Sequence, residues 1–422
     1  MPDGSSTTHL YQPKLLSTFA AGYGLPDFRK DVMAALTVAI VALPLSMAIA
    51  VASGVSPARG LYTAIIGGAL VSLLGGSRYQ IGGPAGAFIV LVAATVAKFG
   101  VEGLLLTVLL SGGMLTLIGV LRIGSLIRYI PHPVTVGFTC GIAVTILASQ
   151  LKDLGGLTLA HEPGPLLPKL AALGAALPTV TPAAALLGIG SAAFILGLRR
   201  YRPTWPGMLI AVGLCGGIAA LLHLPIETIG TRFGGIPNGL EWPRLPPMSW
   251  SLVLGVLPAA LSFTLLGGIE SLLSAKVADS MTGRKHRSNM ELVAQGIANI
   301  ASALFGGISV TGTIARTATN IRAGARSPLS GLMHSAFLLL FMLVAAPLAS
   351  YVPLAALAGV LVVVSWNMAE KDEFVHLVRH WRSAVVLLAT FGLTLVFDLT
   401  TGIVAGCVLA ALIAVYDRFA RR

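Results

Sequence analysis

Apolar stretches of 15 to 22 residues recur along this chain from Val32 to Val415, and no other feature narrows its fold so far. Each approaches the length of about 20 residues that a helix needs to cross the hydrocarbon core of a bilayer. Backbone polar groups in lipid must find partners within the protein, so an apolar run of this length is read as a helix. A chain that is 55% hydrophobic and only 10% charged, with a mean hydropathy of +0.87, is excluded from the soluble globular class. The pattern predicts an all-α polytopic membrane protein.

The spans are expected at 31–53, 60–74, 84–98, 104–121, 133–151, 182–198, 206–222, 252–276, 290–305, 312–322, 329–349, 353–368, 383–398 and 400–416. The first 30 residues are polar and lack the short apolar core of a cleaved leader, so 1–30 is read as a cytoplasmic segment. Cys140, Cys215 and Cys407 each sit in an apolar run without metal-ligand spacing and read as packing residues. The net charge of +12 follows topology rather than nucleic acid. With the N-terminus inside, 22 of the 28 basic residues fall on the cytoplasmic side, among them Lys14, Arg78, Arg128, Arg284, Lys285, Arg287, Arg418, Arg421 and Arg422. Arg59, Lys98, Lys152, Lys169, Arg232 and Arg244 remain outside. That bias places both termini in the cytoplasm.

The chain divides into 31–222 (spans 1 to 7), a Pro- and Gly-rich external loop over 223–251, 252–416 (spans 8 to 14), and a cytoplasmic end at 417–422. Seven spans per half invert the second half relative to the first. Spans 3 and 10 are both short, and each follows an extended stretch: Tyr79-Gln80-Ile81 before Gly82-Gly83-Pro84, and Ile308-Ser309-Val310 before Thr311-Gly312-Thr313. The same shift lays span 1, with Pro44 at its centre, over span 8, with a break expected at Gly267-Gly268. Short or interrupted helices at matching positions in two halves mark a transporter binding site. A helix N-terminus offers unpaired amide donors and a partial positive charge, which suits an anion. Pro84 at the first position of span 3 and Gly83 and Gly86 beside it would let a ligand approach the backbone. The alternative reading of the same glycines is close helix packing.

Glu270 stands in the middle of an apolar run, where a carboxylate is costly and usually has a task. Ser274, four residues on, shares its helix face and can add an oxygen ligand for a small cation. Glu270 is therefore the candidate coupling residue for H+ or Na+, or else a partner in a structural ion pair or hydrogen bond between helices. Arg316, one turn into span 10, can supply charge to an anion or pair with Glu270. His132 between two prolines reads as a loop or capping residue, Asp398 as a cap, and Gln150, Asn299 and Asn367 as interhelical hydrogen bonders. The segment from Lys371 to Arg382 reads as an amphipathic helix on the cytoplasmic face. No HExxH, Walker A or GxSxG pattern occurs, which argues against an enzyme, and no cofactor is called for.

The stretch Gly268-Ile-Glu270-Ser-Leu-Leu-Ser274-Ala-Lys-Val-Ala-Asp279-Ser-Met-Thr-Gly283, continuing through His286, Asn289, Glu291 and Gln295-Gly296 to Asn299, resembles the signature of the SulP family of sulfate permeases and bicarbonate transporters. Leu43-Pro44, Gly82-Gly83-Pro84, Pro131-His132-Pro133-Val134 and Thr311-Gly312-Thr313-Ile-Ala315-Arg316-Thr317 match as well. The resemblance, also to the solute carrier family 26 of animals, runs from Asp27 to Asp417. It implies a UraA-like fold of seven plus seven inverted spans, with two half-helices preceded by short strands, a core of spans 1 to 4 and 8 to 11, and a gate of the rest. By position it implies that Ala85 and Thr313 face the anion, that Ala315 and Arg316 line the site, and that Glu270 and Ser274 correspond to a Na+ site of bicarbonate-type members. Where sulfate-type members often carry Gln after Leu43-Pro44, this sequence has Leu45 and then Ser46, and Ala85 replaces an aromatic residue of animal members. Family members normally continue into a cytoplasmic STAS domain, whereas this sequence ends at Arg421-Arg422.

The expectation is secondary transport of bicarbonate, sulfate or a dicarboxylate by alternating access, with H+ or Na+ symport through Glu270. The substrate site would comprise Ser46, Pro84, Ala85, Gly86, Thr311, Gly312, Thr313, Ala315 and Arg316. A nucleobase:cation symporter of the same fold, an uncoupled exchanger or channel, and a non-transporting scaffold are the alternatives. The setting is the inner membrane of a bacterium, with lipid and a second copy of the chain as partners and no nucleic acid.

Overall fold

The computed structural model describes residues 11–123, 131–159, 163, 166–203, 205–397 and 399–420. Arg128, Asp398, Arg421, Arg422 and the side chain of Arg418 lie outside the described residues. The chain enters through α1 (Lys14–Ala20) and α2 (Leu25–Ala52). A π turn over Thr63–Gly67 joins α3 (Pro57–Tyr62) to α4 (Gly68–Leu74). The strand β1 (Gly82–Gly83) and a 3-10 turn (Gly86–Phe88) lead into α5 (Ile89–Val120). Then come α6 (His132–Gly155), α7 (Leu166–Ala176), α8 (Pro182–Tyr201), α9 (Gly207–Leu221) and α10 (Ile229–Phe233). The second half runs through α11 (Trp250–Thr282), α12 (Ser288–Leu304), strand β2 (Thr311–Gly312), α13 (Ile314–Arg322), α14 (Leu329–Ala349) and α15 (Leu354–Met368). It ends with α16 (Lys371–Val378), α17 (Trp381–Val396) and α18 (Leu399–Ala420).

The predicted apolar segments coincide with these helices, with 60–74 shared by α3, the π turn and α4, and eight helical stretches among the described residues are long and apolar enough to cross a membrane. Segments 84–98 and 104–121 share α5, which is broken at Gly100. The break adopts φ 69° and ψ −175°, a left-handed backbone that glycine alone takes without strain. Three expectations are corrected. α11 runs unbroken through Gly267-Gly268, because a glycine weakens a helix by only about 1 kcal/mol and Gly267 faces Phe88 and Leu115 here. The half-helix after β1 starts at Gly86, with Ala85 as its N-cap, so Pro84 precedes the helix instead of opening it. Gln150 bonds its neighbour Ser149 (2.9 Å) and, among the described residues, no other helix. Asn367 does bridge helices, accepting from Arg199 (2.7 Å). His132 opens α6, exposed and 3.6 Å from Glu373. The amphipathic segment is helical as α16 and ends at Val378, with none of its residues buried.

The helices sort into two bundles. α2 to α5 pack with α11 to α14, while α6, α8, α9, α15, α17 and α18 pack chiefly with one another. The first bundle is drawn tight where α5 crosses α12. A Cβ on Gly112 would meet the Gly296 carbonyl, and a Cβ on Gly296 would meet the backbone of Thr116 and Gly112. Small residues at such a crossing let backbones approach where lipid supplies no hydrophobic drive. Gly296→Val is expected to destabilise the protein by about 1 to 3 kcal/mol through overpacking, seen as a lower melting temperature in detergent. A wild-type melting curve would contradict that crossing.

Candidate functional site

The two short strands meet in the middle of the first bundle. β1 and β2 pair antiparallel, with Gly82 opposite Gly312 and Gly83 opposite Thr311. Glycine is required by crowding: a Cβ on Gly312 would strike the Gln80 amide, one on Gly82 the Val71 side chain, and one on Gly83 the Arg316 guanidinium. Each strand hands over to a helix through an extended N-cap, Ala85 at φ −116° and ψ 145°, and Thr313 at φ −110° and ψ 120°. No side chain caps either start. The Thr313 amide and hydroxyl instead donate to the Ile81 carbonyl (3.0 and 3.2 Å). Gly86 and Thr313 are half-buried and Ala315 is exposed, whereas Pro84, Ala85, Thr311 and Gly312 are buried. Two uncapped helix N-termini thus share one strand pair, each carrying about half a positive charge.

Arg316 lies beneath them. It is 2% exposed, and its Nη2 donates to Ser46 Oγ (3.1 Å) and the Pro84 carbonyl (3.3 Å). Its Nε and Nη1 find no hydrogen-bond partner among the described residues. Of the two roles open to it in the sequence, the pair with Glu270 is not made: no described carboxylate lies within 4.0 Å of its guanidinium. The two helix starts and the Arg316 guanidinium all direct positive charge to this point, and the arrangement favours a negative guest.

α11 frames the other side. Gly267, Ser271 and Ser274 form one face at helical spacing. Ser271 Oγ bonds Thr311 Oγ1 (2.8 Å) and accepts from the Gly312 amide (3.3 Å), and Ser274 Oγ donates to Thr317 Oγ1 (3.2 Å). Glu270 flanks this face, half-buried, and makes no hydrogen bond or ion pair among the described residues. The structure therefore brings together Ser46, Pro84, Thr311, Gly312 and Arg316 directly, with Glu270 and Ser274 on the adjoining helix.

Sequence reasoning missed the carboxylate that holds the junction. Glu291 on α12 is fully buried. Its Oε2 accepts from the amides of Gly76 (2.9 Å) and Ser77 (3.0 Å), and its Oε1 from the side-chain amides of Gln80 (2.7 Å) and Gln295 (3.0 Å). This anchors the approach to β1. Across the junction Thr63, in the π turn, accepts from the Ile308 amide (2.7 Å), and Asn299 exchanges two bonds with Val310 (2.8 and 2.9 Å), which anchors the approach to β2. Each half thus holds the other half's strand. The available signal was a polar stripe, Glu291, Gln295 and Asn299, at a spacing of four along an otherwise small and apolar helix.

The Sulfate permease family model matches residues 28–391. The Bacillus subtilis protein named "Putative sulfate transporter YvdB" is 44% identical over 392 residues, covering 92% of this chain and 74% of that one. The bicarbonate transporter BicA of Picosynechococcus sp. is 32% identical over 409 residues, covering 92% and 70%. Among solved structures, the transmembrane domain of a cyanobacterial BicA superposes with a TM-score of 0.79 at 30% identity, over 90% of this chain and 98% of that one. SLC26A9 superposes at 0.89 over 97% and 69%, and at 19% identity it speaks for the fold alone.

Proposed function

This chain belongs to the sulfate permease family, and from that premise we propose that it moves a small oxyanion or carboxylate by alternating access, held at the two helix starts. It is a multi-pass membrane protein of an anion-transporter family with the UraA-like helical fold, and it is not an enzyme. The observation that carries the finer reading is the unpaired, buried Arg316 beneath two uncapped helix N-termini. A buried cation without a counter-ion is costly, and a bound anion relieves it.

The relatives named for sulfate and bicarbonate support those two substrates, with a dicarboxylate as the third. The arrangement is read as 14 spans in a seven-plus-seven inverted repeat, with the first bundle as core and the second as gate. The antiparallel pairing of β1 with β2 and the reciprocal anchoring of their approaches support that symmetry. Ala85 and Thr313 face the anion, Ala315 lines its access, and Glu270 with Ser274 carries H+ or Na+. Both termini lie on the cytoplasmic side of a bacterial inner membrane. A nucleobase symporter is disfavoured because α13 presents Arg316 and no acid.

The test is uptake of labelled sulfate, bicarbonate and uracil into proteoliposomes by wild type and Arg316→Gln. Loss of a charge-assisted contact of about 1.5 to 3 kcal/mol predicts anion affinity weaker by roughly 10- to 100-fold in the variant. Uracil uptake, or anion uptake indifferent to Arg316→Gln, would sink the reading.

A further inference from the structure

A second concentration of positive charge lies away from the strand junction, at the end of the core where α1, the approach to β1 and the α11–α12 turn converge. These segments enclose a cavity of about 250 Å³ lined by Lys14, Ser77, Arg78, Asp279, Arg284 and Lys285, among others. Main-chain bonds fix its walls. The Lys14 amide donates to the Gly75 carbonyl (2.9 Å) and the Arg287 amide to the Gly76 carbonyl (2.9 Å), and the Arg287 side chain reaches the Gln12 carbonyl.

The charge of this cavity is not balanced from within. Asp279 is the one acid in its lining, and its Oδ2 is taken by the His286 ring (2.6 Å) and the His286 amide (3.1 Å). Among the described residues no carboxylate lies within 4.0 Å of Lys14, Arg78, Arg284 or Lys285. Two basic residues placed on the opposite face behave differently. Arg232 donates to the Asp153 carboxylate (3.0 Å) and Arg244 to that of Glu102 (2.9 Å). Burial, and after it the nearby Arg287 and Arg78 cations, push the Lys14 ammonium below its usual value. Asp279 opposes this only in part.

We propose that this cavity binds a phosphate ester, with Arg78 and Arg284 gripping the phosphoryl oxygens and Lys14 and Lys285 balancing its charge. Two guanidinium forks suit a multiply charged tetrahedral anion, and the lysines act as point charges. The cavity has room for the phosphoryl group and the first part of whatever it esterifies. Basic pockets among membrane helices on the cytoplasmic side recognise lipid head groups in this way, and a soluble ester offers the same chemistry. A bound ester clamps the 75–81 approach to β1 against the α11–α12 turn. Occupancy therefore stiffens the segment that presents the first half-helix, at a place the transported anion does not occupy.

The test uses the purified full chain and reads binding, not transport. Thermal stability is titrated with glycerol 3-phosphate in detergent, and separately with phosphatidylcholine vesicles with and without phosphatidic acid. Wild type is expected to be stabilised by at least one phosphate ester beyond the effect of chloride at equal ionic strength. Affinity is expected to fall at least about tenfold in Lys14→Gln/Arg78→Gln and in Arg284→Gln/Lys285→Gln. It stays within about twofold of wild type in Arg200→Gln/Arg202→Gln, whose exposed cations lie elsewhere. Arg284 and Lys285 are exposed at the rim, so the second pair reads the site even if the first fails to fold. Stabilisation by glycerol 3-phosphate assigns a soluble ester, and stabilisation by phosphatidic acid alone assigns a lipid head group. Equal losses in all three double variants, or no stabilisation of wild type by either ester, would overturn the proposal.

Discussion

Glu291→Ala is expected to cost the protein its folded junction before any effect on transport can be read. The substitution leaves four buried donors, the Gly76 and Ser77 amides and the side-chain amides of Gln80 and Gln295, without their acceptor. Each orphaned donor costs about 1 to 3 kcal/mol, and the sum approaches the 5 to 15 kcal/mol that holds a typical domain together. Glu291→Gln keeps the volume and one acceptor oxygen, but turns an NH2 toward groups that also donate. It should retain part of the stability. Melting temperatures in detergent are therefore expected to run wild type, then Gln, then Ala, with the Ala variant largely lost to aggregation on size exclusion. An Ala variant that melts with wild type would show that the approach to β1 is held by something else.

That carboxylate also shows where sequence reading stopped. The positions of the apolar segments were legible because hydropathy is a local property, and the half-helix starts were placed to within about two residues by Gly82-Gly83-Pro84 and Thr311-Gly312-Thr313. The break expected at Gly267-Gly268 does not form because tertiary packing overrides a weak local preference: Gly267 faces Phe88 and Leu115, and the helix continues. In the sequence Glu291 stands out only as part of a motif, because its backbone partners are amides 214 and 215 residues away. Nothing in a single sequence reports such a pairing. The two roles open to Arg316 separate only in the fold, since whether it meets Glu270 depends on how α13 sits against α11 and α2.

Glu270 carries the second large expected effect. An intramembrane carboxylate without an ionic partner among the described residues, beside the site proposed for the anion, is suited to bringing a cation in and letting it go again. A tenfold cation gradient supplies about 1.4 kcal/mol, enough for up to about tenfold accumulation of anion under one-to-one electroneutral coupling. Glu270→Gln keeps the shape but can neither exchange a proton nor offer a charged ligand to Na+. It should bring accumulation down to equilibration while leaving the fold intact, because no described hydrogen bond or ion pair depends on the carboxylate.

The decisive measurement is uptake of labelled bicarbonate, sulfate and fumarate into proteoliposomes under an inward Na+ gradient, an inward H+ gradient and none, for wild type and Glu270→Gln. Wild type is expected to accumulate one of these anions above equilibration under one of the two cation gradients, and Glu270→Gln is not. Uptake that ignores both gradients and survives the substitution would contradict coupling through Glu270 and leave an exchanger or a uniporter.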